Sequence, residues 1–329
     1  MSGLTAPLRK GDAVHVVAAS SAFDDPEALY QGLEVLSRWG LKTDPTGIPR
    51  RRWGYLAGED HERRNDLHPV PAAPLLACAR GGWGAARLLE QPIHWRPGWL
   101  LGFSDVTALL LARFSAGLDG SIHGPLLSTL AAEPDWSQQR LKDLLFGQPL
   151  PDLQGISWAS GTARGPLIAA NLTVASHLLG SPHMPGLSGA ILILEDVGES
   201  PYRIDRMLTH WRLTGALHKL SGLGFGRFSG CEDDEDSDGF ACAEVLQERS
   251  LEVAALWKRA ILPAALVFSF DFVVGSIFCF QNTAVCHPHQ LLPLYCTLNS
   301  QIALDARQHN RRLHPQPRHP QLARGGQES

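Results

Sequence analysis

The chain has no CxxC pair: its six cysteines, Cys78, Cys231, Cys242, Cys279, Cys286 and Cys296, stand apart in 329 residues. That spacing offers neither a zinc site nor a disulfide framework, so reduced thiols in a cytoplasmic protein are the simplest reading and no metal is expected. Basic charge is not in excess. With 29 Lys and Arg against 33 Asp and Glu, the formal net charge is −4, without the electrostatic footprint of a nucleic-acid binder. Met1 to Lys10 contains no long apolar core ahead of a small-residue cleavage site, so no secretory signal is expected. A GxGxxG dinucleotide fingerprint is missing as well. Glycine, frequent through most of the chain, almost vanishes between about Ser250 and Gly325.

What is present is enough apolar residue, 44%, to bury one large core or two of ordinary domain size. Between Ala13 and Ser128, short apolar runs (Val14 to Ala19, Leu75 to Ala79, Trp99 to Phe103) alternate with helical stretches, as in a parallel sheet flanked by helices. The best helix signal starts at Asp25-Pro26, continues through Leu29, Leu33 and Leu36, and closes at Gly40. This reads as an amino-terminal α/β domain over residues 1–146, followed by a Gly, Pro and Ser-rich linker at 147–165. A carboxy-terminal domain, mixed, β-rich and α/β, is expected over 166–250. Its elements are a helix near Asn171 to Leu179, a strand at Ala190 to Leu194, and a helix near Tyr202 to Leu217 with Ile204, Met207, Leu208 and Trp211 on one face. The acidic run Glu232 to Asp238 lacks the spaced ligands of a calcium loop and reads as a solvated loop.

Residues 251–329 form an aberrant tail. Phe, Cys, Gln and His replace the strand-and-turn pattern of the preceding residues, and Arg307 to Ser329 has the composition of a disordered segment. Ile261 to Phe280 is apolar over about the ~20 residues a membrane span needs, but Asp271 stands near its middle, and no membrane partner is expected.

The densest chemistry is Gly102-Phe-Ser-Asp-Val-Thr107, where an apolar run meets a helical pattern. A serine on a tight strand-to-helix turn lifts its hydroxyl clear of the backbone, and the next amide can stabilise a developing oxyanion; a plain Ser/Asp helix cap is the bland reading. Arg80-Gly-Gly-Trp-Gly84 is a second loop whose amides can approach a ligand closely. Glu195 and Asp196 follow the strand at Ala190 to Leu194, from where a carboxylate can enter a cleft.

In order along the chain, Tyr55-Leu-Ala-Gly58 with Arg63 and Asp66, Cys78-Ala-Arg-Gly-Gly-Trp-Gly84, Leu101-Gly-Phe-Ser-Asp-Val-Thr107, Ile122-His-Gly-Pro125, Gly165-Pro-Leu with Asn171-Leu172, Ile193-Leu-Glu-Asp-Val197 and Tyr202-Arg-Ile-Asp-Arg-Met-Leu208 resemble the LD-carboxypeptidase family of serine peptidases, relatives of the microcin C self-immunity hydrolases. The resemblance spans roughly Leu8 to Arg249. It implies a cytoplasmic serine carboxypeptidase that removes the terminal D-alanine of murein tetrapeptide, with a homodimer common in the family and no cofactor. By motif, Ser104 would be the nucleophile and Glu195 the residue orienting a histidine. The amides of Asp105 and Gly82 would form the oxyanion hole, and Tyr202 and Arg203 would line the cleft. A hydrolase of peptidyl or acyl nucleotides and a non-catalytic remnant that binds murein peptides are the alternatives.

The family's histidine, carried in a Pro-x-Gly-His segment, is absent. The expected neighbourhood reads Leu262-Pro-Ala-Ala-Leu-Val-Phe268. His287 and His289 lie further on and read as incidental, and His123 reads as the residue that positions its own turn. The composition break implies a shifted reading frame or another rearrangement after about Ser250. Resequencing the coding region tests this: a corrected frame with a different ending is expected, and an intact frame encoding this same tail contradicts it.

Overall fold

The structure, a computed structural model, describes residues 5–45, 47–159, 161–232, 239–259, 266–269, 278–279, 281–287 and 290–292; residue 154 and those after 253 are described as backbone. The acidic run at 233–238 and His289 lie outside the described residues, as does everything after 292.

Two sheets carry the architecture. In the first, β1 (Ala13–Val17), β2 (Lys42–Asp44), β3 (Leu75–Cys78), β4 (Trp99–Gly102) and β5 (Ser121–His123) are all parallel, in the order β5-β4-β3-β1-β2. The helices between them are α1 (Glu27–Arg38), α2 (Asp60–Asn65) and α3 (Thr107–Ser115), with α4 (Leu127–Leu130) and α5 (Asp135–Leu145) following β5. The near-continuous apolar runs of these strands suit burial on both faces, and β4 is buried at all four positions.

Helix α1 starts one residue later than the Asp25-Pro26 signal indicates, with Pro26 at the N-cap and Glu27 its first residue; Asp25 Oδ1 accepts from the Glu27 amide at 2.9 Å, and Gly40, at φ 91°, ends the turn that follows the helix. Its Gly32 has a packing reason. A Cβ there would lie 1.8 Å from the Leu127 carbonyl oxygen, so the missing side chain is what lets α1 lie against α4.

The second sheet is mixed. Its middle strands β8 (Ala163–Asn171), β9 (Ile191–Val197), β10 (Gly222–Ser229) and β11 (Leu266–Ser269) are parallel, and β6 (Leu153–Gln154), β7 (Ile156–Ala159), β13 (Gln281–His287) and β14 (Gln290–Leu292) add antiparallel edges. Helices α6 (Leu172–Leu178), α7 (Pro201–Leu213) and α8 (Cys242–Arg259) connect its parallel strands. The segment read as a linker therefore carries β6, β7 and the start of β8. Strand β9 is longer than its apolar run, so Glu195 sits within it rather than after it: pairing with β8 reaches Glu195, and pairing with β10 holds the extended backbone through Val197. Of residues 261–280, the described parts are strands, β11 and β12 (Phe278–Cys279), the latter antiparallel to β5. Among the described residues no helix is long and apolar enough to cross a membrane.

Helix α3 joins the two halves. Residues Thr107 to Arg113 are all buried, as a helix apolar on every side requires, and one continuous apolar cluster runs from Leu100, Leu109 and Leu111 to Ile168, Leu192 and Trp211. The fold is thus a parallel-sheet α/β half and a mixed α/β half meeting around α3.

Gly32→Ala should lower stability by about 3 kcal/mol, the upper part of the usual overpacking range, in urea unfolding. Gly186→Ala, where a Cβ meets nothing within 4 Å, should change it little. Equal effects of the two would contradict the close packing of α1 on α4.

Candidate active site

The carboxyl ends of parallel strands lie along one edge, where α/β sheets place their ligands. Along that edge β3 runs into Arg80-Gly81, β4 into Phe103-Ser104, and β5 ends on His123.

Gly102 makes the turn after β4 possible: a Cβ there would stand 2.8 Å from Val106 Cγ1 and 3.1 Å from Cys78 Cβ. Phe103 is extended, and Ser104 then takes φ 60°, the one positive φ at a non-glycine among the described residues. Such a backbone costs about 1 kcal/mol or more and persists only where surrounding packing enforces it. A 3-10 turn, Ser104–Val106, leads into α3. Burial drives the Cys78 thiol at the end of β3 far up, so this thiol beside the turn stays protonated.

The glycine loop lies against the serine. At Gly81 a Cβ would come within 3.2 Å of Ser104 Oγ; at Gly82 (φ 107°) it would come within 2.3 Å of Ser21 Oγ. Ser21 holds the loop from its other side, its amide donating to the Gly81 carbonyl at 3.3 Å and its hydroxyl accepting from the Trp83 amide at 3.1 Å. The bare backbone is therefore wedged between two serines.

Asp105 ties the loop to the turn. Its carboxylate is buried and accepts from the Ser20 hydroxyl at 2.6 Å and the Ala85 amide at 2.8 Å, with the Gly84 amide as a further donor. Burial raises its pKa, and those three hydrogen bonds oppose the rise by stabilising the charged form. From beneath, fully buried Arg63 donates to the carbonyls of Ala19 and Gly84 and pairs with Asp60, while Asp66 accepts from the Ala18 amide at 3.0 Å and pairs with Arg51. Arg63 and Asp66, which the sequence marks only as matching the family pattern, are the brace under the loop.

The second sheet supplies Glu195, opposite Asn171 in the β8–β9 register. The side chain is 15% exposed, and its Oε1 lies 3.5 Å from Nε2 of His123, itself 4% exposed. Neighbouring Asp196 faces the other way, accepting from Asn171 Nδ2 at 2.9 Å, the Thr173 amide at 2.9 Å and the Thr173 hydroxyl at 2.8 Å. Burial raises the Asp196 pKa, the Thr173 hydroxyl lowers it, and the Glu195 charge raises it further. Asn171 caps α6 through Val174 and donates its own amide to Thr107 Oγ1 at 3.2 Å, fastening β8 to the first residue of α3. The Thr107–Asn171 and His123–Glu195 contacts thereby join the first half, on either side of the Ser104 turn, to the strands β8 and β9 of the second.

Tyr202 and Arg203 are not part of that set of contacts. Tyr202 is exposed at the start of α7, with the Arg203 and Arg206 guanidinium groups each 5.8 Å from its ring, and Arg203 also reaches Glu199. His287 is described as backbone at the end of β13. His123, read from the sequence as positioning its own turn, is also the side chain that faces Glu195. That placement is topological: His123 ends the strand that pairs with β4, in register with Gly102, two residues before Ser104.

Comparison with known proteins matches residues 14–124 to the LD-carboxypeptidase N-terminal domain and residues 164–269 to the LD-carboxypeptidase C-terminal domain. A Synechocystis sp. protein named among the carboxypeptidases is 45% identical over 249 residues, covering 74% of this chain and 82% of the relative. The murein tetrapeptide carboxypeptidase of Pseudomonas aeruginosa is 36% identical over 245 residues, covering 66% of this chain and 76% of the relative. Among solved structures, the microcin self-immunity protein MccF in complex with glutamyl sulfamoyl guanosine has a TM-score of 0.73 at 19% identity, over 88% of this chain and 97% of that one. The muramoyltetrapeptide carboxypeptidase of Oxalobacter formigenes has a TM-score of 0.65 at 22% identity, over 85% and 97%. At such identities the structural likeness speaks for the fold.

Asp105→Ala should destabilise the protein by roughly 3 kcal/mol in urea unfolding, because it strands several buried donors. Asp105→Asn, which keeps an acceptor and sheds the buried charge, should lose less than half of that. Equal losses would contradict the bracing role of the carboxylate.

Proposed function

The chain belongs to the LD-carboxypeptidase family, and from that premise we propose that it is a cytoplasmic serine-type carboxypeptidase that cuts the bond before the terminal D-alanine of murein tetrapeptide. The observation that carries the proposal is the positive-φ serine at the carboxyl end of β4 with a bare glycine loop against its hydroxyl. That arrangement is what acyl transfer asks for: a half-buried nucleophile on a sharp turn and a glycine backbone with no side chain in the way.

As Ser104 Oγ bonds to the scissile carbonyl carbon, its proton passes to the imidazole that Glu195 orients, the carbonyl π electrons move to oxygen, and the amides of Gly82 and Asp105 receive the oxyanion. Collapse of the tetrahedral adduct breaks the C–N bond, the imidazolium returns that proton to the amine of the departing D-alanine, and the acyl-serine left behind is cleaved by a water that gives one proton to the imidazole, which passes it back to Ser104 Oγ. Glu195 supplies the carboxylate that orients and charges an imidazole, in the way an aspartate does in related triads. Tyr202 and Arg203 are the substrate-lining residues carried over from the resemblance.

One observation favours a second reading, a protein that binds murein peptides without cutting them: Leu262 to Phe268 holds no histidine where the family carries one. Incubating the purified full chain with murein tetrapeptide and, separately, with an aminoacyl sulfamoyl nucleotide distinguishes the possibilities. The carboxypeptidase reading predicts D-alanine release that falls by about three orders of magnitude in Ser104→Ala. Peptide binding without release supports the second reading, and turnover of the nucleotide alone assigns the chain to the self-immunity branch. Hydrolysis of tetrapeptide by Ser104→Ala at the parent rate overturns the nucleophile assignment.

A further inference from the structure

Two buried polar atoms stand without hydrogen-bond partners at the junction of the sheets, Oε1 of Glu195 and Nδ1 of His123. The 3.5 Å between Glu195 Oε1 and His123 Nε2 is an ion-pair distance rather than a hydrogen bond. A buried carboxylate without a partner is costly, and among the described residues the basic side chain within pairing distance of Glu195 is the His123 imidazole. The pairing also crosses the fold. His123 ends β5 in the first sheet, and Glu195 belongs to β9 in the second.

Nothing else about His123 accounts for its setting. Its backbone is already fixed by the pairing Gly102↔His123 and by the Gly124 amide donating to the Gly102 carbonyl at 3.1 Å, so the turn at Gly124-Pro125 does not need the ring. The imidazole packs edge-on against Phe103, ring centres 6.2 Å apart, and Phe103 is the residue immediately before Ser104. One side chain thus touches both the residue leading into the serine turn and the carboxylate from the opposite half.

We propose that His123 is the positioning residue for Glu195: its imidazole holds the carboxylate from the first sheet and keeps it registered with the Ser104 turn. This rests on the carboxypeptidase reading for its catalytic meaning, but the pairing itself can be measured without turnover. The imidazole acts through Glu195, and the pair couples the two halves of the molecule at the site.

The test is proton NMR of the full chain labelled at histidine Cε1, with the His123 signal assigned by its loss in His123→Gln. Replacing Glu195 with Gln should move the His123 signal and leave the other histidine signals in place, because the carboxylate that this imidazole faces is lost. An unmoved His123 signal in Glu195→Gln overturns the proposal. A fluorophosphonate that labels activated serines gives the second readout. Labelling of Ser104 should slow about tenfold in His123→Leu, less than the ~10²–10⁴-fold of a group that itself transfers the proton, because the imidazole acts through Glu195, and recover in His123→Gln, which keeps an N–H donor. Labelling of His123→Leu at the parent rate overturns the positioning role. A moved His123 signal with no labelling of parent Ser104 upholds the pair while counting against the hydrolase reading, so the two failures are told apart.

Discussion

Everything around the site depends on one enforced backbone angle. A serine at φ 60° returns to extended or helical geometry unless held, and the holding groups come from several directions. Val106 and Cys78 crowd the bare Gly102 ahead of the turn, Asp105 reaches from the turn to the amides of Gly84 and Ala85, and α3 is buried on every side behind it. The Gly81–Gly84 loop is fixed by the same contacts. A turn and a loop held by shared contacts, with bare Gly81 against the serine, are preorganised together, and preorganised donors are where acyl-transfer sites gain most of their transition-state stabilisation.

The brace below the loop shows why several polar residues are buried at a cost. Arg63 is fully enclosed, yet its guanidinium meets two backbone carbonyls and Asp60, and Asp66 meets a backbone amide and Arg51. Each charge replaces hydration with fixed partners, and the loop above inherits their rigidity. On the other half, Asp196 and Asn171 play the corresponding part: by tying β9 to α6 and β8 to Thr107, they bring the strand carrying Glu195 to the start of α3.

Much of this was legible in the sequence, because it is local. The alternation of apolar runs and helical stretches indicates a parallel sheet, the cap at Asp25-Pro26 marks α1, and the Gly-x-Ser pattern at a strand end marks the turn at Ser104. What escaped was non-local. The Asp105 carboxylate reads as a helix cap, although its partners at Ser20 and Ala85 come from other loops. The role of His123 depends on which strand lies beside β4 and which carboxylate the other sheet brings opposite it, and neither follows from spacing along the chain. Glu195 reads as the end of a strand because the apolar pattern stops at Leu194, whereas pairing with β8 includes Glu195 and pairing with β10 carries β9 on to Val197.

In the proposed acyl-transfer site, the Ser104 hydroxyl, the Gly81–Gly84 loop and the Asp105 amide are one preorganised unit. The decisive experiment is a crystal structure of the full chain after reaction with a phosphonate that mimics the tetrahedral intermediate. Phosphorus is expected to be bonded to Ser104 Oγ, with its oxyanion within about 3 Å of the Gly82 and Asp105 amide nitrogens. An adduct on another residue, or one on Ser104 whose oxyanion points away from both amides, would refute that unit.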